Sequence, residues 1–241
     1  MKITIAIPAY NEEKIIGQKI DQLFKFCQEQ LSNYQWLIIV AINGSKDKTL
    51  KIIQEKTKIY PKLGYINLDA PGKGGAIRKT WQTYPGDINI FMDADLSTEL
   101  KFTHELIKSI EKDNYQIAIG SRYQKQSDLK RPFIRTLFSR TYNLILKIFF
   151  NLKITDASCG FKAVSQEVLK KIIPKIKNND LFFDTELLIL AHQNKFSIKE
   201  IPVVWKEEEQ RKTKIKILKT SFNYFKEIIK IKARFIGTRL K

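Results

Sequence analysis

Cysteine and histidine are nearly absent. The 241 residues hold two of each: Cys27, Cys159, His104 and His192. Two cysteines build no disulfide framework, a usage that suits a reducing compartment. A zinc cluster of the Cys/His type is excluded for the same reason. No run of 18 or more apolar residues occurs either. The richest, Trp36 to Ile42, has the length of a strand, so no bilayer-spanning helix is expected. The opening Met1-Lys2-Ile3-Thr4-Ile5-Ala6-Ile7-Pro8 lacks the apolar region of a signal peptide. Repeats, low-complexity linkers and Pro/Gly-rich boundaries are missing too. One domain is therefore expected over 1–210, with a helical extension over 211–241.

Acidic residues are outnumbered, 25 against 43 basic ones, for a net charge of +18. Lysine and isoleucine are common throughout, so part of this surplus is compositional. Its distribution is uneven, however: residues 211–241 hold eleven Lys or Arg and one acid, Glu227. Such a surplus attracts nucleotide phosphates, anionic lipid or nucleic acid. Nucleic acid lacks support beyond charge, because no recognition motif or aromatic platform accompanies it.

What is present is an alternation of apolar strands and helical spacing. Strands are expected at 2–8, 36–42, 63–68, 87–92 and 115–121, and helices at 12–31, 46–58, 73–83 and 98–112. This order predicts an α/β fold, a mostly parallel sheet with helices on both faces. Ligands of such sheets bind beyond the carboxyl ends of the strands. Polar residues gather there, in Tyr10-Asn11-Glu12-Glu13, Asn43-Gly44-Ser45 and Asp93-Ala94-Asp95. Further helices are expected to about residue 151, at 165–174 and 184–194, a strand at 197–205, and a last helix at 213–236.

Asp93 and Asp95 follow a buried strand with one residue between them. Alternate residues at a strand end can point the same way. Two hard oxygen ligands suit Mg²⁺ or Mn²⁺, which takes one or two carboxylates plus phosphate oxygens. Taken alone, the motif fits a helix N-cap better, with Asp95 or Ser97 as the cap.

Five ordered motifs resolve that ambiguity. They are Ile5-Ala6-Ile7-Pro8-Ala9-Tyr10-Asn11-Glu12-Glu13, Asn43-Gly44-Ser45-Lys46-Asp47, Gly72-Lys73-Gly74-Gly75-Ala76, Asp93-Ala94-Asp95-Leu96-Ser97-Thr98 and Gly120-Ser121-Arg122. Together they resemble glycosyltransferase family 2. Asp156 to Lys162, Phe183 to Leu188 and Glu200 to Trp205 resemble its dolichyl-phosphate glucosyltransferase and mannosyltransferase branch, the glucosyl members more closely. The resemblance implies a GT-A fold, an inverting transfer from a nucleotide-sugar of the UDP-glucose or GDP-mannose type, a divalent metal (Mg²⁺ or Mn²⁺), and a polyprenyl or dolichyl phosphate acceptor. It places the reaction at the cytosolic face of a membrane. Pro8, Tyr10 and Glu12 match positions lining the nucleoside, and Lys73 lies in the loop near the nucleotide. Asp93 matches the acid facing the donor sugar and ribose, Asp95 the principal metal ligand, and Ser97 a further metal-side position. Arg122, Arg135 and Arg140 match basic residues near the acceptor phosphate. Asn43 departs from the aspartate usual at its position, keeping an acceptor oxygen without the charge.

The acceptor's charge shapes the expected mechanism. A hydroxyl needs a general base, whereas a phosphate monoester is already anionic and needs cations to orient it, a task that suits arginine. Asp184 and Glu186 read either as sugar contacts, as a base for a hydroxyl acceptor, or as members of an ion pair. On a helical wheel Leu218, Phe222, Phe225, Ile229 and Ile236 share one face, and Lys216, Lys219, Lys226, Lys230 and Arg234 another. A basic amphipathic helix of this kind lies in an anionic membrane interface or packs on the protein. Relatives often carry transmembrane helices here, so peripheral attachment or a separate membrane protein partner is implied. Two other readings remain: transfer to a sugar hydroxyl in polysaccharide synthesis, and a non-catalytic nucleotide-binding, membrane-associated module.

Overall fold

The computed structural model describes residues 1–130, 133–207 and 217–239, with the side chains of 130, 133–135, 217–219 and 236–239 set aside. Arg131, the side chain of Arg135 and the segment 208–216 therefore lie outside the described residues. In chain order the elements are β1 (Lys2–Ala9), α1 (Ile16–Gln30), β2 (Gln35–Asn43), α2 (Thr49–Ile59), β3 (Leu63–Leu68), α3 (Lys73–Thr83), β4 (Ile88–Met92), α4 (Thr103–Glu111), β5 (Ile117–Ser121), β6 (Asp128–Lys130), α5 (Phe133–Phe150), β7 (Phe161–Ser165), α6 (Gln166–Lys171), α7 (Phe183–Gln193), β8 (Ile198–Pro202), β9 (Val204–Lys206) and α8 (Ile217–Arg239).

Seven strands form the main sheet in the order β3-β2-β1-β4-β7-β5-β8. All neighbours are parallel except β7, which runs against β4 and β5. The central strands are apolar on both faces because helices cover both. In β1, Ile3, Ile5 and Ile7 join one core with Ile16 of α1, Ile53 of α2 and Leu106 of α4. Ala6, from the same strand, faces a second core with Ile77 of α3, Val168 of α6, Leu187 of α7, Leu146 of α5 and Ile228 of α8. Period-two alternation thus sends neighbouring side chains into different cores. β6 and β9 pair separately, in parallel.

Three expectations shift. The strand foreseen at 197–205 divides at Val203: β8 pairs with β5, then the chain crosses to pair β9 with β6. The helix foreseen from 98 begins as a 3₁₀ turn, Leu100–Phe102, with α4 following from Thr103. Ahead of it, Leu96 has φ 49° and Thr98 bridges to Trp205, which holds the first residues out of helical geometry.

The third concerns the last helix. Its docked side is Ile228 and Ile231, fully buried, flanked by Tyr224 and Phe235, an i, i+4, i+7, i+11 seam. Of the face foreseen as apolar, Phe222, Phe225 and Ile229 stand 60%, 45% and 49% exposed, while the side chains of Leu218 and Ile236 lie outside the described residues. Arg234, placed with the basic face, instead turns inward to the buried Glu186 carboxylate at 2.6 Å. α8 packs on α5 through ring pairs Tyr142–Tyr224 (5.0 Å) and Phe150–Phe235 (6.3 Å), and Lys232 donates to the Phe149 carbonyl near the end of α5. Among the described residues no helix is long and apolar enough to cross a membrane.

Candidate functional site

The strand ends foreseen as a binding edge do converge. β1, β2, β4 and β5 all deliver their carboxyl ends to one cavity of about 680 Å³. Its polar end is lined by Pro8, Tyr10, Glu12, Asn43, Lys73, Asp93, Asp95 and Ser97. Arg122 and Asp184 are also on its wall. Towards α5 and α8 the lining turns apolar: Phe138, Tyr142, Ile145, Tyr224, Phe225 and Ile228.

The loops after β1 and β2 hold each other in place. Asn11 N–H donates to Ser45 Oγ (2.9 Å), Lys46 N–H to Asn11 Oδ1 (2.8 Å) and Glu12 N–H to Thr49 Oγ1 (2.8 Å). This reciprocal bonding fixes Tyr10 and Glu12 beside Asn43. Asn43 is buried, and its Oδ1 has no hydrogen-bond partner among the described residues. A buried acceptor left unmatched is costly unless a ligand supplies the donor.

Beyond β4, Asp93 N–H donates to the Gly160 carbonyl (3.0 Å), and its carboxylate presses on Gly160, where a Cβ would overlap both Asp93 oxygens. Asp95 is buried, and its Oδ1 accepts Ser97 N–H at 3.1 Å. Ser97 Oγ is buried without a partner among the described residues. Lys73 opens α3, and Nζ lies 2.9 Å from Asp93 Oδ1 and 3.1 Å from Asp184 Oδ2. Burial opposes its charge, but the Asp184 and Asp93 carboxylates overcome this and raise its pKa well above the ordinary lysine value. Asp184 in turn accepts from Lys162 at 2.9 Å, a lysine with no exposed surface that also bonds the Cys159 carbonyl. Both ammonium groups lie over the Phe91 ring, at 5.0 and 5.4 Å.

Arg122 meets Asp156 through a two-point fork, Nε to Oδ2 at 2.6 Å and Nη2 to Oδ1 at 2.8 Å, with a third bond from its backbone N–H. Burial would push the Asp156 carboxyl up; the guanidinium prevails and holds it below its usual range. The Arg122 guanidinium also lies 5.9 Å from the Tyr123 ring centre and 5.8 Å from that of Trp205. Arg140 is 5.7 Å from the Tyr123 ring and does not line the cavity. Glu186 does not line it either; its oxygens accept from Lys177 N–H, Asn178 N–H and Arg234. Cys159 is buried, and burial pushes its thiol up to about 12, so it is not a thiolate at neutral pH.

Sequence reasoning missed Lys162 and Asp156 as individual participants. Both lie in the stretch Asp156 to Lys162 that carried the resemblance, but nothing in spacing links Asp156 to Arg122, or Lys162 to Asp184, across 34 and 22 residues.

The model of the family described as glycosyl transferase family 2 matches residues 4–173. The chain belongs to glycosyltransferase family 2. This family 2 chain is 28% identical over 231 residues to glycosyltransferase AglD of Haloferax volcanii, covering 95% of the chain and 37% of AglD. It is 29% identical over 253 residues to the dolichyl-phosphate beta-glucosyltransferase of Saccharomyces cerevisiae, covering 97% of the chain and 75% of that protein. Among solved structures, glucosyl-3-phosphoglycerate synthase from Mycobacterium tuberculosis with UDP superimposes with a TM-score of 0.73 at 18% identity, covering 96% of this chain and 80% of the other. That likeness shows the GT-A fold. The same synthase has been solved with Mn²⁺ and UDP-glucose. The family 2 chain is a glycosyltransferase, and it spans little more than a third of AglD's length.

Proposed function

We propose that this glycosyltransferase moves a hexose, glucose in preference to mannose, from a nucleoside diphosphate sugar to a polyprenyl phosphate at a membrane surface. One observation carries the reading. A single cavity joins a polar end of carboxylates and lysine to an apolar end between α5 and α8, with Arg122 on its wall. A nucleotide-sugar matches the first end and a lipid the second.

The nucleoside is assigned to Pro8, Tyr10, Glu12 and Asn43. The unmatched Asn43 Oδ1 suits an N–H of a base. Lys73, whose charge the Asp184 and Asp93 carboxylates favour, is assigned to the diphosphate, and Asp93 to the ribose and donor sugar.

Asp93, Asp95 and the unmatched Ser97 hydroxyl form a hard oxygen set that fits Mg²⁺ or Mn²⁺. Asp95 with Asp93 would hold the ion. When bound, it supplies positive charge to the diphosphate oxygens as the nucleotide departs. The described residues offer no cluster of three His, Cys, Asp or Glu ligands, so substrate phosphates would have to complete the coordination.

An anionic acceptor needs orientation and no base. Arg122, held rigid by Asp156 and with Nη1 outside that fork, supplies a fixed cation on the cavity wall. Arg140 and Arg135 are assigned to the approach. Both Asp184 oxygens already accept from lysines, so its role here is to position Lys73.

Peripheral attachment is proposed to the cytosolic leaflet, whose anionic lipids match the basic surplus of 211–241 at about 1 kcal/mol per Lys or Arg near the surface. Exposed Phe222, Phe225 and Ile229 on α8, with Leu137, Leu144 and Ile148 on α5, give that surface apolar contacts. Phe138 and Phe225 are both exposed and line the cavity, so its mouth opens where lipid would lie.

The test is a donor screen (UDP-glucose, GDP-mannose) against polyprenyl phosphate and sugar-hydroxyl acceptors, with and without Mn²⁺. Glucosyl transfer to the lipid phosphate, lost on chelation, is expected. Transfer only to hydroxyl acceptors rejects the proposal, and donor binding without turnover favours the non-catalytic module.

A further inference from the structure

Lys73 and the turn before it do not stand alone. Gly75 N–H donates to the Asn179 carbonyl at 2.9 Å. A Cβ on Gly72 would come within 2.8 Å of that carbonyl, and one on Gly74 within 3.0 Å of the Asn178 carbonyl and into Phe183. Arg78, one turn further along α3, donates to the Ile176 carbonyl at 2.7 Å and to Asn179 Oδ1. The backbone of 176–179 is therefore the bed on which the Gly72–Gly75 turn lies.

What fixes that bed is Glu186. Its carboxylate, 3% exposed, accepts Lys177 N–H at 3.2 Å and Asn178 N–H at 2.8 Å. Glu186 is held by Arg234 of α8, whose Nη1 donates at 2.6 Å while Nη2 donates to the Lys175 carbonyl at 3.2 Å. A planar fork reaching a carboxylate and a backbone carbonyl of the same segment constrains both distance and angle, which a flexible ammonium does not. An uncompensated Glu186 charge in this buried place would be costly, so its bonds to the 177–178 backbone depend on its partner.

We infer that Arg234 is a positioning residue for the nucleotide-sugar end of the cavity. Through Glu186 and segment 176–179 it sets the Gly72–Gly75 turn and so the height of Lys73. The seating of α8 is thereby coupled to nucleotide affinity. The helix that carries exposed Phe222, Phe225 and Ile229 on one side carries this tether on another. Whatever α8 rests upon acts on the nucleotide through the tether. The inference rests on the proposed assignment of Lys73 to the diphosphate.

The test uses the full chain, with UDP plus Mn²⁺ as the probe, and compares Arg234→Gln, Arg234→Lys and Lys232→Gln. Lys232 also ties α8 down, but to the end of α5 and not to Glu186. Amide hydrogen exchange over 72–80 and UDP titration are read side by side. Arg234→Gln is expected to speed exchange at Gly75 and weaken UDP about tenfold, within the usual range of coupling between sites. Arg234→Lys, keeping charge without the fork, is expected to fall between and serves if the glutamine variant does not fold. Lys232→Gln is expected to leave exchange over 72–80 unchanged. Unaltered exchange and affinity in both Arg234 variants overturns the inference, as does an equal effect from Lys232→Gln. If the wild type binds neither UDP nor GDP, the Lys73 assignment fails, while the exchange data still decide whether the tether exists.

Discussion

Lys73 Nζ lies 2.9 Å from Asp93 Oδ1, so the cation assigned to the diphosphate already neutralises one of the carboxylates assigned to the metal. The two ligands should respond to its removal in opposite directions. In Lys73→Gln, Asp93 loses a competing cation and the diphosphate loses an attracting one. Mn²⁺ alone is expected to bind more tightly, and UDP with saturating Mn²⁺ about tenfold more weakly, a change of about 1.4 kcal/mol. Calorimetric titration of each ligand checks both signs.

Asp95 has a narrower task. Its Oδ1 accepts the Ser97 N–H at 3.1 Å, and loss of that bond should cost stability about 1 kcal/mol. Asp95→Ala is expected to abolish transfer with little change in melting temperature. Near wild-type turnover in that variant would remove the metal assignment.

Gly160 is replaceable only at the expense of Asp93. A methyl group there would overlap the Asp93 carboxylate. Gly160→Ala is expected to destabilise by about 1–3 kcal/mol, as overpacking does, and to depress transfer more than it depresses melting, because the displaced group is the one assigned to the donor sugar. Paired activity and thermal-melt measurements separate the two effects.

The Arg122–Asp156 pair should make the fold acid-sensitive. The Asp156 carboxyl titrates below its ordinary range when folded. The pair's contribution is therefore complete above the unfolded carboxylate value of about 3.9 and fades as pH falls through the lower folded value. Asp156→Asn, which leaves a buried guanidinium without its anion, is expected to cost about 3–5 kcal/mol. It should also flatten the acid limb of a stability-against-pH curve followed by denaturant unfolding.

For membrane attachment, deleting 211–241 would also remove Ile228 and Ile231 from the core. A substitution of Phe222, Phe225 and Ile229 by serine leaves that docked seam intact. The triple variant is expected to lose sedimentation with anionic vesicles at moderate salt while keeping its melting temperature. Undiminished sedimentation would count against α8 as the lipid contact.

Most of the sheet was legible because β1, β2 and β4 are largely apolar on both faces and end at Ala9, Asn43 and Met92, where the polar motifs begin. The residues lining the polar end were legible as motifs. Direction was not: period-two spacing along Phe161–Ser165 is the same whichever way the strand runs, so the reversal of β7 left no trace. Nor were long-range partners. Glu186 read with Asp184 as a sugar contact, a base or an ion-pair member, and its partner Arg234 lies 48 residues away. One residue of helix rotates a side chain by about 100°, and two turn it to the opposite side, towards Arg234. In α8 the apolar stripe is wider than one face, so a wheel chose Phe222 and Phe225 while packing chose Ile228 and Ile231.

The reversal of β7 has a further effect. Because it enters the sheet where β4 and β5 leave it, the chain between Arg122 and Asp156 departs and returns at one point, closed by Ser121 Oγ and Thr155 Oγ1 at 2.7 Å and by Glu200 beneath Thr155. The described residues between Arg122 and Asp156, α5 included, form an excursion stapled at its base. α5 is thereby anchored twice, at this staple and through Leu146 and Phe150 in the core it shares with α7 and α8, so a change in its length would be felt on the cavity wall it lines.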